Sequence, residues 1–238
     1  MPIAVVQTAV NPQTTLSNKW DVTFATAVTP GNVVVIVARN GGNRTMLAPT
    51  YTGGGGTFAS VVENNATSTN GLAMWSKVED SSGITQYRIT IGSSLTATGV
   101  QVALELSGLN GATASASGTG TQNTTTTSPQ MLDTGLDIAS GGIMIGAIST
   151  QPTASWGTLT GPANFTQSSA AITGTGQISH YIGHRTTSGS AIQGTATTTN
   201  ARAIWGIAAT WIEAPTGQPT VKRWGGVPHF GGRSLRRW

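Results

Sequence analysis

Apolar and polar residues alternate along much of this chain. From Gly99 to Ser107, Val100, Val102, Leu104 and Leu106 fall on one face, with Gln101, Ala103 and Glu105 on the other. Tyr87, Ile89 and Ile91 alternate in the same way with Gln86, Arg88 and Thr90. In the run Ala203–Ile212, Trp205, Ile207, Ala209 and Trp211 share one side. A period of two over such lengths predicts half-buried strands. Val33–Ala38 and Ile143–Ile148 are instead unbroken apolar runs, the pattern of strands covered on both faces. Turn clusters stand between these segments: Thr29-Pro30-Gly31-Asn32, Asn40-Gly41-Gly42-Asn43, Gly53–Gly56, Asp80–Gly83 and Ser188-Gly189-Ser190. Gly and Asn admit the positive φ of tight turns, and Pro presets the entry angle. No stretch joins helical periodicity to helix caps. The predicted fold class is all-β.

The pattern also repeats. Val28-Thr29-Pro30-Gly31-Asn32 leads into Val33–Ala38, and Ile138-Ala139-Ser140-Gly141-Gly142 leads into Ile143–Ile148. In both halves a Gly-rich loop with Phe58 or Phe165 follows, then a strand from Gly71 or Gly176. A turn and two more strands close each unit, at Leu106-Ser107-Gly108-Leu109 or Trp211-Ile212-Glu213-Ala214. This predicts two pseudo-repeated halves, 1–110 and 111–213. Tandem small sandwiches and one pseudo-symmetric sandwich both fit. One antiparallel, jelly-roll-like two-sheet sandwich over 1–213 is preferred, because no charged or Pro-rich linker separates the halves. An extended arm, 214–238, follows it.

Composition narrows the chemistry. Of 238 residues, 40 are Thr, 21 Ser and 32 Gly, only 8% are charged and none is Cys. Disulfides, thiolate metal sites and a Cys nucleophile are thereby excluded. No apolar run approaches the ~20 residues of a membrane-spanning helix, and Met1–Val10 lacks the basic and apolar regions of a secretory signal. The net charge of +4 is misleading as a whole. Lys222, Arg223, Arg233, Arg236 and Arg237 lie in the arm with no acid, whereas 1–213 carries a net charge of −1. Basicity therefore describes the arm, and gives the body no reason to bind nucleic acid.

Catalytic and metal-binding patterns are weak. His180 and His184 form the one close histidine pair, but on a strand they stand ~13 Å apart, too far to share an ion at ~2 Å. Tyr181 occupies the place where a zincin needs Glu. Glu79-Asp80 reads as a hairpin end, Glu63 and Glu105 as solvent-facing strand residues, and Asp133 and Asp137 as flanks of a turn. There is no Gly-x-Ser-x-Gly elbow, no Lys after the Gly53–Gly56 loop as in a phosphate-binding loop, and no alternating acids for Ca²⁺. Asn-x-Ser/Thr triplets at Asn43, Asn65, Asn123 and Asn164 are expected by chance in so Thr-rich a chain. No catalytic residue and no cofactor is expected.

Binding features are clearer. Trp75 shares a strand face with Lys77 and Glu79, and Trp156 sits beside Gly157 in a loop. Exposed, each could stack on a sugar ring or anchor a partner; covered by a long loop, each is core, which is the preferred reading. Trp20, Trp205 and Trp211 are assigned to the core. In the arm, Lys222, Arg223, Trp224, His229, Phe230, Arg233, Arg236, Arg237 and Trp238 interleave cations with rings, a combination suited to docking on another protein. A solubilising tail is the bland alternative, and nucleic acid would need contacts beyond five charges.

The progression Ala4-Val5-Val6-Gln7, Thr29–Val35, Met74-Trp75-Ser76-Lys77, Tyr87–Ile91 and Leu104–Leu109 resembles a β-sandwich module of bacteriophage virion proteins and bacterial surface proteins. Val221-Lys222-Arg223-Trp224 resembles the short tails of phage minor tail proteins, without the second aromatic-Val ending expected beside it. The resemblance implies a non-enzymatic virion structural protein assembled in the host cytoplasm. Minor tail or tail-tip placement is the first expectation, capsid decoration the second, and a host-surface glycan-binding module the third. Its partners would be other virion proteins and further copies of itself, as a trimer by preference, with no membrane insertion.

Overall fold

A computed structural model describes residues 2–40, 45–51, 57–67, 70–92, 97–150, 156–171 and 179–214. Among these residues there is no helix and the sheets are antiparallel. The first half supplies β1 (Ala4–Ser17), β2 (Lys19–Thr23), β3 (Val33–Asn40), β4 (Ala59–Thr67), β5 (Asn70–Val78), β6 (Gln86–Thr90) and β7 (Ala97–Ser107). The second supplies β8 (Ala116–Thr126), β9 (Leu136–Ile138), β10 (Ile143–Thr150), β11 (Leu159–Thr160), β12 (Thr166–Ala171), β13 (His180–Arg185), β14 (Gly189–Ile192), β15 (Thr197–Thr198) and β16 (Arg202–Trp211).

Five first-half strands form one sheet in the order β1-β7-β3-β5-β4, and five second-half strands form another in the order β8-β16-β10-β13-β12. A jelly roll passes strands back and forth between its two sheets; here each described sheet comes from one half only. Two-stranded ribbons, β2-β6 in the first half and β9-β14 and β11-β15 in the second, complete the strand pairing.

The unbroken apolar runs explain the layering. Strands β3 and β10 are buried at every position, so each needs cover on two sides. Between the sheets, Val33, Val35 and Val37 of β3 share one cluster with Ile143, Ile145 and Ala147 of β10, together with Leu104, Leu106, Ile207 and Trp211. On the far side, Val34, Ile36 and Ala38 pack against Trp20, Val22, Tyr87 and Ile89 of the β2-β6 ribbon. Met144 and Ile148 face Ile138 of β9, with Met131, Leu132 and Trp156 beside them. Each large buried aliphatic side chain contributes roughly 1.5–3 kcal/mol. Gly99 marks how closely the ribbon approaches: a Cβ there would lie 2.3 Å from the Trp20 ring.

Matched turns precede the central strands. Asn32 N donates to Thr29 O at 3.1 Å and Gly142 N to Ala139 O at 2.9 Å. Gly31 and Gly141 take φ of 91° and 74°, which an L side chain adopts at a cost.

Polar ties cross between the sheets where apolar contact stops. The guanidinium of Arg39, at the end of β3, is buried; it bonds Ser149 Oγ and donates to Thr150 O at 2.6 Å, both in β10. Burial lowers its pKa to about 9, so it stays charged at neutral pH. The Asn64 side-chain amide donates to Gly120 O and Gly206 O, each at 3.0 Å. Ala112 O accepts from Ser76 Oγ at 2.7 Å and Trp211 Nε1 at 2.9 Å, holding the connector against both halves.

Arg39→Lys keeps the charge and loses the planar fork that reaches two acceptors at once. A loss of about 2 kcal/mol in unfolding free energy is expected, measured by urea titration. An unchanged midpoint would show that Arg39 does not tie the sheets.

Candidate functional site

The aromatic side chains singled out in the sequence are not surface platforms. Trp75 is 1% exposed and Trp156 0%. Trp75 does lie on the face of β5 shared with Lys77, but that face is roofed by the β2-β6 ribbon. Trp156 packs among Met144, Ile148 and Tyr181, and its backbone carbonyl accepts from Asn200 N at 3.0 Å. Neither ring can stack on a glycan in this fold. Lys222, Arg223, Trp224, His229, Phe230, Arg233, Arg236, Arg237 and Trp238 lie outside the described residues.

Glu105, read as solvent-facing, is instead 1% exposed, bonded beneath the turn 29–32. Its Oε1 accepts from Thr29 N at 2.9 Å and Asn32 Nδ2 at 2.6 Å, and its Oε2 from Gln7 Nε2 at 2.6 Å. Glu79 is buried too. It accepts from Lys77 Nζ at 3.2 Å, from Asp80 N and Ser81 N at 3.1 Å, and from Tyr87 O–H at 2.7 Å. Lys77 Nζ also stands 3.8 Å from the Tyr51 ring centroid, within a nest of edge-to-face contacts among Phe24, Tyr51, Phe58 and Tyr87. Burial, reinforced by the Glu79 and Glu105 carboxylates, pushes the Tyr87 hydroxyl pKa far up. These carboxylates are saturated with donors, and the work they do is to hold the turn 29–32 and the hairpin end at 79–83 in place. Glu63 is exposed, as the sequence implied.

Both histidines do lie on one strand, β13. His180 is buried, with Nε2 2.9 Å from Ser169 Oγ. His184 is half-buried with Nδ1 unpaired, and desolvation lowers its pKa from the ordinary value of 6.5. No group of three His, Cys, Asp or Glu side chains able to hold a metal occurs among the described residues.

The feature the sequence reading missed is a groove of about 690 Å³ on the outer side of the second sheet. The ends of β8 and β16 (Ser115, Ala116, Thr210–Ile212) form one wall, and β9 with the start of β14 (Leu136–Ala139, Gly189, Ser190) the other. Ser115 N and Oγ both bond Thr210 O, at 2.8 and 2.9 Å, fixing that wall. Asp137 Oδ1 accepts from Ala191 N at 2.9 Å across the ribbon.

Register explains why space opens here. Val33 pairs with Leu106 and Ile143 with Trp211; one step along, Val34 faces Glu105 and Met144 faces Thr210. On the neighbouring strand Gln7 lies opposite Glu105, and Ala116 opposite Thr210. In the first sheet, therefore, the place is filled by the Gln7–Glu105–Asn32 network. In the second, Ala116 and Thr210 stand there and line the groove. Laying Leu104-Glu105-Leu106 beside Ala209-Thr210-Trp211 was the signal in the sequence that could have located it.

No family model, curated protein or solved structure matches this chain.

Two outcomes follow from these networks. Tyr87→Phe removes a donor from buried Glu79 and should cost about 1.5–3 kcal/mol in urea unfolding; a change near zero would mean that the hydroxyl contributes nothing there. Because burial lowers the folded-state pKa of His184 below its ordinary 6.5, the unfolded chain takes up a proton there at a higher pH than the folded chain does. Its contribution to stability is therefore present above 6.5 and lost as the pH falls through the folded value. Tm should drop from pH 7.5 towards pH 5 more steeply in the native chain than in His184→Gln, and parallel curves would exclude His184 as the source.

Proposed function

We propose that this chain is a non-enzymatic structural protein of a phage particle: a two-sheet β-sandwich body fastened at the tail through the basic, aromatic arm 214–238. The carrying observation is the partition of charge and rings. All five cations beyond Ala214 are unopposed by acid, whereas the body has nearly balanced charge. The resemblance of the strand progression to phage virion modules supports the setting.

Within this reading the halves are two copies of one module. The like order of the five-stranded sheets, the matched turns at Gly31 and Gly141, and the shared cluster between the sheets support it. A surface rich in Thr, Ser and Gly loses less on desolvation than a charged one, which favours packing between copies. Saturation of Glu79 and Glu105 argues against their use as acid or base. Burial of Trp75 and Trp156 takes away the platforms on which a glycan-binding reading would rest.

Gold-tagged antibody against the body should label purified particles, at the tail end for a tail component or over the head for a decoration protein; unlabelled intact and disrupted particles would remove the virion reading. A chain lacking 219–238 should fold with unchanged Tm yet fail to join particles, and normal incorporation would show that the arm is not the fastening.

A further inference from the structure

We infer that Asn110, in the bend between the two halves, is a site of spontaneous deamidation, and that the change loosens the junction there. The step needs only water and the chain itself, and it stands apart from the virion reading.

The chain has three Asn-Gly pairs, Asn40-Gly41, Asn70-Gly71 and Asn110-Gly111. In such a pair the glycine backbone nitrogen, once hydroxide removes its proton, attacks the carbonyl carbon of the Asn side chain, with no Cβ in the way. The new C–N bond closes a five-membered succinimide as the bond to the side-chain nitrogen breaks and ammonia leaves. Water then opens the ring at either carbonyl, giving an aspartyl or an isoaspartyl linkage and, in both, a new carboxylate. This is the chemistry that makes Asn thermolabile. Ring closure requires the Asn main chain to turn until the next nitrogen reaches its side chain, so a residue locked in a ladder is protected.

The fold separates the three. Asn40 is 0% exposed and lies between two partners, opposite Gly71 of β5 and Gly99 of β7. Asn70 opens β5 opposite Thr67 of β4, and Gly71 after it is buried in register with Asn40. Asn110 is exposed and belongs to no strand. Among the described residues, neither Gly111 N nor the Asn110 side chain has a hydrogen-bond partner. Gly111 takes φ of 99°, and a Cβ there would meet nothing within 4 Å, so the ring has room to form. The consequence follows from how the bend is held. On one side Asn110 N donates to Ile212 O at 3.3 Å and Leu109 bridges Glu213. On the other, Ala112 O accepts from Ser76 Oγ at 2.7 Å and Trp211 Nε1 at 2.9 Å. An isoaspartyl linkage puts an extra carbon into the main chain between these anchors. A segment pinned at both ends takes that up only by giving up a tie, and these ties join the first half to the second.

The test incubates the full-length chain at pH 9 and samples it over days. Peptide mass spectrometry should find a gain of about 1 Da at Asn110, with isoaspartate marked there by protein isoaspartyl methyltransferase. The reaction should run at least about tenfold faster than at Asn40 or Asn70, the equivalent of about 1.4 kcal/mol in barrier. In concentrated urea, where the ladders are gone, the three should react at similar rates. The deamidated fraction, separated by its added negative charge, should unfold at a lower urea concentration than the fresh chain. Asn110→Gln, an exposed change whose longer side chain closes its ring far more slowly, should keep its midpoint on ageing. Peptide mapping and charge separation of the native chain hold the test even if that variant folds poorly. A rate at Asn110 no greater than at Asn40 and Asn70, or a preference that persists unchanged in urea, would overturn the site. Equal unfolding midpoints for the deamidated fraction and the fresh chain would overturn the loosening.

Discussion

Two strands in this protein have no face to give to water. Val33–Asn40 and Ile143–Thr150 are buried along their whole length, and that requirement organises the rest. A strand with two apolar faces needs cover on both. One side is met by stacking the two sheets; the other needs an outer layer, which the β2-β6 ribbon supplies in the first half and β9 with the loop residues Met131, Leu132 and Trp156 in the second. The outer layers explain how a chain with 37% hydrophobic residues can bury so many positions: the buried apolar side chains are concentrated in β3, β5, β7, β10, β13 and β16 and in the pieces that cover them.

The same layering sets the fate of the polar groups it traps. Lys77 and Glu105 project from strands of the first sheet and Glu79 directly follows β5; all three are buried, where an isolated charge would be costly to hold. Each is met by several donors or acceptors, and the pairing fixes loops that apolar packing alone would leave unspecified. Arg39 does the equivalent between the sheets, at the end of the central strands. Gln101 shows the limit of the arrangement: it is buried with neither amide atom paired, a burden that the surrounding apolar contacts outweigh.

Strands, turns and the unbroken central runs were legible in the sequence, because each depends on local period and on Gly, Asn and Pro at bends. The all-β class and its antiparallel sheets were within reach of the pattern; which strands become neighbours was not, since periodicity does not say. Burial was legible only where a second layer was not involved. Glu105 alternates with Leu104 and Leu106 as a solvent-facing residue would; what buries it is turn 29–32, which lies far from it in sequence. Trp75 misled for the same reason. The groove was not legible from any one segment, because its walls come from elements far apart in the chain, Ser115 and Ala116 with Thr210–Ile212 on one side and Leu136–Ala139 with Gly189 and Ser190 on the other.

Where the halves differ is as informative as where they agree. In the first, Glu105 and Glu79 are drawn inward, and Asp21 is held by Arg88 in two bonds of 2.6 Å; these carboxylates are consumed by the fold itself. In the second, the residue in register is Thr210, and Asp137 lies on the groove wall, where its Oδ1 accepts from Ala191 N. A network that stabilises one sheet is thus absent from the other at the corresponding place, while the hydrophobic cluster and the turn before the central strand are kept in both. The charge imbalance of the chain, negative by one unit over 1–213 and positive by five beyond it, is a separate division, set by where the cations lie in the sequence and not by the difference between the two sheets.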